Sequence, residues 1–276
     1  MKKKMCSLLV ISSFLLSATF AAAGSLDENH IKLKVNGAYL IYSKGELPFV
    51  DKNNRTLIPL RVIADFINGK TTWDSKAKSV QIEAKDFKLK AVLNEKGATI
   101  NGKKIASDTS LTLKNGTTLV PAKWIAEGLG ASLKWDEKNK IISLDDNRFF
   151  QAGPLERMNN EEHKESSMDT QIVPQSIGYQ TVEGEEQLKI TLKNLSTSTY
   201  TSQQIQDHLL VYIDPNHFIE EGTNGNTNSD RSGLRLIDEI KPNKTYAYTL
   251  PVGRLDQKQL QTDVPQYAFV RYFIYR

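Results

Sequence analysis

Thr56 to Ile82 reads T-L-I-P-L-R-V-I-A-D-F-I-N-G-K-T-T-W-D-S-K-A-K-S-V-Q-I. Sixty-two residues further on, Thr118 to Leu144 reads T-L-V-P-A-K-W-I-A-E-G-L-G-A-S-L-K-W-D-E-K-N-K-I-I-S-L. Nine of the 27 aligned positions are identical, among them Pro59/Pro121, Ala64/Ala126, Trp73/Trp135 and Asp74/Asp136. Others exchange like for like: Ile58/Val120, Arg61/Lys123, Asp65/Glu127, Ile67/Leu129 and Val80/Ile142. A repeat of this length with matched punctuation points to a duplicated supersecondary unit.

Each copy has the same local logic. A short β-rich run (Thr56–Ile58, Thr118–Val120) reaches a proline, expected in the first turn of a helix because its missing N–H would have no helical partner anyway. Leu60, Ile63, Ala64 and Ile67 then fall at i, i+3, i+4 and i+7, and Ala122, Ile125, Ala126 and Leu129 repeat the stripe. The stripes end at Asn68 and Gly130, residues that tolerate the left-handed conformation closing a helix. A strand to the Trp-Asp pair follows, then a charged turn, then an alternating strand (Val80, Ile82; Ile142, Leu144). A two-turn helix cannot bury its stripe alone, so a small sheet must cover it. Large aromatics dominate small cores, and Trp73 and Trp135 are therefore expected to close the core rather than to stack on a ligand. Arg61/Lys123 and Asp74/Asp136 recur as cation and anion, suggesting a structural ion pair in each copy.

These motifs carry a resemblance. V-N-G (35–37), R-T-L-I-P-L-R (55–61), W-D (73–74) and the closing V-Q-I resemble the stalk domain of copper amine oxidases, and the second copy supplies I-N-G (100–102), T-L-V-P-A-K (118–123) and W-D (135–136). The resemblance implies a small antiparallel sheet wrapped round a helix. It also implies a module common in secreted and cell-surface proteins of Gram-positive bacteria, mostly with no oxidase attached. It covers about residues 30–146. The chain departs from the family at Ala122, where a leucine is usual, and at Asn68-Gly69 in place of a Leu-Gly-like helix end. A fold does not fix a function.

Residues 1–23 have the form of a secretory signal. Lys2-Lys3-Lys4 precede an apolar run from Leu8 to Phe20, and Ala21-Ala22-Ala23 before Gly24 offers an A-x-A cleavage site. The apolar run is short for a membrane span of about 20 residues, so cleavage and no membrane insertion afterwards are expected. Cys6 is the only cysteine and precedes the apolar run, so it is no lipid-attachment cysteine, and the mature chain has no disulfide framework. Three of the 36 Lys and Arg lie in the signal, leaving 33 against 32 acids. A balance this close to neutral gives no basis for nucleic-acid binding.

The mature length suggests two domains. The expected division is a duplicated stalk-like domain over 30–146, a linker over 147–170 marked by Gly153-Pro154 and low periodicity, and a β domain over 171–276. Within the linker, Glu156–Lys164 is a candidate short helix. Beyond it, Leu188, Ile190 and Leu192 alternate with Lys189, Thr191 and Lys193 and end at Asn194-Leu195-Ser196. Leu209–Ile213, Leu234–Ile240, Thr245–Val252 and Tyr267–Tyr275 are further strands, with Lys241-Pro242-Asn243-Lys244 as a turn. This spacing suggests a sandwich, and the order of its motifs looks like the immunoglobulin-like accessory domains of bacterial surface proteins. The fold class expected is α+β: duplicated units of a small antiparallel sheet and a short helix, followed by an all-β immunoglobulin-like sandwich.

The family resemblance invites a test for oxidase chemistry, which by resemblance needs three copper-binding histidines, two as H-x-H, and a tyrosine following an asparagine. The histidines are His30, His163, His208 and His217, none at H-x-H spacing, and no tyrosine follows an asparagine. There is no H-E-x-x-H, no G-x-S-x-G, no G-x-G-x-x-G and no Walker loop. His208 and His217 flank one strand and read as surface histidines. Asn224, Asn226, Asn228 and Asp230 stand at calcium-loop spacing, but the sixth and twelfth places counted from Asn224 hold Ser229 and Arg235 instead of Gly and Glu, so a hairpin loop is the better reading. No catalytic, cofactor or metal residue is expected. The function expected is a non-catalytic stalk or binding module, secreted and associated with the cell wall, whose partner is a wall polymer or another surface protein. The alternative is a wall hydrolase drawing on Glu220-Glu221, Asp230 and Asp238-Glu239.

Overall fold

The computed structural model describes residues 30–42, 46–151, 156, 163–165, 171–182, 185–201, 209–213, 221–222, 239–251 and 267–275. Most of these lie in strands, and among the described residues there are two α-helices. The first strands are β1 (Lys32–Val35), β2 (Ala38–Tyr42) and β3 (Phe49–Val50). The earlier of the two similar stretches then forms β4 (Thr56–Pro59), α1 (Leu60–Phe66), β5 (Lys70–Asp74) and β6 (Ser79–Ala84). Four strands follow: β7 (Phe87–Val92), β8 (Lys96–Ile100), β9 (Lys103–Ser110) and β10 (Thr112–Lys114). The later stretch forms β11 (Thr117–Pro121), α2 (Ala122–Leu129), β12 (Ser132–Asp136) and β13 (Ile141–Asp145), the same order of elements.

β4 and β11 pair antiparallel, with Leu57 opposite Pro121, Ile58 opposite Val120 and Pro59 opposite Leu119. Ile58 and Val120 hold corresponding places in the two stretches, so this pairing is two-fold symmetric about them. Each helix reaches across it, α1 packing on β11 and α2 on β4. Pro59 and Pro121 stand one place earlier than expected. They end their strands as N-caps with ψ of 130° and 124°, and the helices begin at the next residue.

Both helices close alike. The Gly69 N–H donates to the Ala64 carbonyl (2.7 Å) and the Asn68 N–H to that of Asp65 (3.2 Å). In α2 the Ala131 N–H donates to Ala126 (2.8 Å) and the Gly130 N–H to Glu127 (3.4 Å). Asn68 and Gly130 adopt φ of 50° and 69°, which completes a Schellman-type closure.

The expected apolar stripes prove too narrow. Val62 and Phe66 in α1 and Trp124 in α2 are also buried, because each helix is covered from more than one side. Phe66 corresponds to Gly128. A Cβ at Gly128 would lie 2.5 Å from Ile100 and 2.6 Å from Phe87, so a bare backbone lets those side chains meet the second helix.

The remaining strands are β14 (His163–Glu165), β15 (Ile172–Val182), β16 (Glu185–Asn194), β17 (Tyr200–Thr201), β18 (Leu209–Ile213), β19 (Glu221–Gly222), β20 (Glu239–Ile240), β21 (Thr245–Pro251) and β22 (Tyr267–Tyr275). β15, β16 and β21 form a three-stranded sheet and β17 pairs β20. β22 instead lies beside β2, with Tyr39 opposite Val270, Leu40 opposite Phe269 and Tyr42 opposite Tyr267. One sheet therefore runs β12-β13-β1-β2-β22-β18-β19 through both halves of the chain, with β14 also on β22, while β5 to β9 make a separate sheet.

Every residue of β2 is buried. Ala38, Leu40 and Tyr42 face the helical core with Tyr267 and Phe269, and β15 lies against β2 and β22. β2 is thus a strand covered on both faces, which is why Ala38-Tyr39-Leu40-Ile41-Tyr42 is continuously apolar. The segment expected as a linker begins in the core. Phe149 and Phe150 are fully buried, Phe149 edge-on to Phe66 at 4.7 Å and Phe150 edge-on to Phe269 at 5.3 Å. His163 and Lys164, expected in a short helix, lie in β14, and Leu234–Asp238 falls outside the described residues.

Candidate functional site

Trp73 and Trp135 do not close the core. They are 43% and 45% exposed, and the buried tryptophan is Trp124 in α2 at 2%. The reason lies in their strands. β5 and β12 are edge strands, and all five residues of each are exposed. Trp73 stands opposite buried Val80 and Trp135 opposite buried Ile142, so both point to the inner side. At a sheet edge that inner side borders an open cleft.

The expected ion pairs are also absent. Asp74 instead accepts the backbone N–H of Lys76 (2.9 Å) and Ala77 (3.0 Å), and Asp136 accepts that of Asn139 (3.0 Å). Both carboxylates hold turns, a role open to any aspartate at a turn's first position. The Asn139 backbone and side chain hold the Asp136 carboxyl below its usual range. Lys123 pairs within its own helix with Glu127, at 3.4 Å. Arg61 is exposed and makes no ion pair among the described residues.

The first cleft, about 570 Å³, is bordered by Trp73 and Thr71 from β5, by Pro59 to Val62 at the β4–α1 junction, and by Asn115 to Thr118. Tyr42 and Tyr267 also line it, at 8% and 3% exposure. Their rings meet edge to face at 6.3 Å, and the Tyr267 hydroxyl donates to Asp65 of α1. The Tyr42 hydroxyl is buried without a hydrogen-bond partner among the described residues, and burial pushes its phenol well above the usual range, so it stays protonated. A buried hydroxyl left unpaired costs about 1–3 kcal/mol. The second cleft, about 580 Å³, is bordered by Trp135, Phe49, Lys114, Lys140 and His30. The Lys140 ammonium lies over Trp135 at 5.9 Å and that of Lys114 over Phe49 at 5.0 Å.

Glu46 lines both clefts. Its carboxylate meets Lys114 at 2.8 Å and accepts from the Asn115 side chain. The Lys114 bond, against opposing desolvation and with help from Asn115, holds Glu46 below the ordinary range. Asn115 and Gly116 form a tight turn with φ of 43° and 78°, the pattern of a type I′ hairpin. Glu46 therefore fixes the turn that borders one cleft and the lysine that borders the other.

Among the described residues no three His, Cys, Asp or Glu side chains converge to hold a metal ion. His208, His217, Glu220, Asp238 and Thr223–Asp230, which includes the calcium-loop positions, lie outside the described residues. Of the acids considered for hydrolysis, Glu221 lies in β19 and Glu239 in β20. No helix among the described residues is long and apolar enough to cross a membrane.

Residues 27–144 match the family model of the copper amine oxidase N-terminal domain. That domain is a non-catalytic module in its family, and the match takes in less than half of the 276-residue chain. Both clefts are built largely from the matched N-terminal domain, with Tyr267 of β22 completing the first. Comparison with curated proteins gives no match. Of the site features, the two tryptophans and Arg61 stood out in the sequence, though with other roles. Glu46 and Tyr42 did not, since neither lies in the two similar stretches.

Proposed function

We propose that the chain is a non-catalytic, exported module that binds at the bacterial cell surface or wall. In this reading the α+β part is a duplicated copper amine oxidase N-terminal-like unit, and the β-rich remainder is an immunoglobulin-like sandwich attached to it. The signal-like residues 1–23 support export. The observation that carries binding is the placement of Trp73 and Trp135, at corresponding positions, half exposed beside clefts. An exposed indole costs stability that a buried one would contribute, and aromatic side chains beside polar groups are the usual furniture of recognition surfaces. The partner is a wall polymer or another surface protein.

The test uses the mature full chain with purified Gram-positive walls. Retention on walls, released by wall digestion and weakened in Trp73→Ala and Trp135→Ala, is expected. An unbound fraction at every salt concentration overturns the reading.

A further inference from the structure

We propose that the cleft bordered by Tyr42, Arg61 and Trp73 is a binding site for a carboxylated saccharide, a uronic acid unit being the simplest form. The inference rests on the binding-module reading and names the ligand class for one of its clefts. Three observations converge on it. Trp73 presents a half-exposed indole along one wall, the platform on which the apolar face of a pyranose ring lies. Arg61, which also lines the cleft, is exposed and holds no ion pair among the described residues. Its planar fork matches a carboxylate with two parallel hydrogen bonds. Tyr42 supplies a buried hydroxyl with no hydrogen-bond partner among the described residues, whose buried polar groups are otherwise almost all satisfied.

The charge balance selects among anions. Among the described residues that border this cleft Arg61 is the one cationic side chain, and Glu46, which also borders it, has its charge met by Lys114. One guanidinium suits a singly charged carboxylate better than a doubly charged phosphate. Asn115, Thr117 and Thr118 add side chains of the kind that hydrogen-bond sugar hydroxyls. The second cleft differs: its indole already carries the Lys140 ammonium over its ring, so that face is taken.

The experiment titrates the mature full chain with tetragalacturonate and with the same tetramer after its carboxyls are reduced to alcohols, by calorimetry and tryptophan fluorescence. Wall retention is measured alongside. Binding of the acidic tetramer, weakened at least about tenfold on reduction and to a similar degree in Arg61→Met, is expected, since a charge-assisted pair is the larger part of the recognition. Tyr42→Phe removes one hydroxyl from a site where it has no partner among the described residues. It should weaken binding several-fold while leaving Tm unchanged or higher, whereas a merely structural hydroxyl would lower Tm and leave affinity alone. Equal binding of both tetramers overturns carboxylate recognition. Binding of neither, with walls still retained, overturns this inference and leaves the binding module standing. Loss of wall retention in the unmodified chain removes the reading beneath it as well.

Discussion

Asn194 shows how much a single side chain organises in this protein. It is fully buried at the end of β16, and its amide donates to the carbonyls of Ser198 (2.7 Å) and Ile240 (3.0 Å). Its oxygen accepts from the Ser196 N–H (2.9 Å) and hydroxyl (2.8 Å). Asn194→Ala strips all four bonds and takes a donor from the carbonyl of buried Ile240, while the carbonyl of exposed Ser198 keeps the Ser196 hydroxyl. A loss of about 1–3 kcal/mol is expected in urea unfolding, because a fully buried amide and its four bonds are removed together. Asp146 illustrates a charge effect of known sign. Its carboxylate, 8% exposed, takes a two-pronged contact from Arg148 at 2.7 Å, and this bond holds its pKa below the usual range against desolvation. A carboxyl depressed in the folded state stabilises above its unfolded pKa, about 4, and loses that contribution as pH falls through the folded value. Asp146→Asn should therefore lower stability by about 1 kcal/mol at pH 7, and the gap should close in Tm scans taken progressively below pH 4.

At the scale of elements, the two helices separate what the two similar stretches share from what they do not. Their closures are the same, yet Phe66 fills space between α1 and Phe149 where Gly128 vacates it for Phe87 and Ile100. Gly128→Ala should cost about 1–3 kcal/mol by overpacking, even though alanine is the better helix former. A neutral or stabilising result in thermal melts would mean that Phe87 yields easily. The same contrast explains what could be read from the residues alone. Periodicity and punctuation located both helices, the Asn68 and Gly130 closures, and strands such as Tyr267–Tyr275, because those signals are local. The fate of Trp73 and Trp135 was not local. Alternation says which face a residue takes, but only the strand order says that β5 and β12 are edges where the inner face opens on a cleft. Likewise, matched charges at Arg61 and Asp74 say nothing of distance, and Asp74 turned out to serve its own turn.

For the whole molecule, the decisive feature is that β22 lies beside β2, so the chain's last described strand completes the sheet of its first. Phe150, just past β13, packs on Phe269 of β22, and Tyr42 of β2 meets Tyr267. Ala38–Tyr42 and Ala268–Val270 are continuous apolar runs of the kind strands covered on both faces carry, but a run of that kind does not name its partner. The arrangement couples the first described strands to the last. All three tryptophans lie between residues 73 and 135, and only Trp124 is buried, so fluorescence on unfolding reports the first half. Phe269→Ala removes a fully buried ring from the shared core at the far end of the sequence. Because the cavity opens against Phe150 and Tyr267, it should destabilise by about 3–5 kcal/mol. The tryptophan transition itself should move, in step with the loss of β-sheet circular dichroism. Were the halves held by separate cores, the fluorescence midpoint would stay where it is in the parent chain and only the circular dichroism would shift.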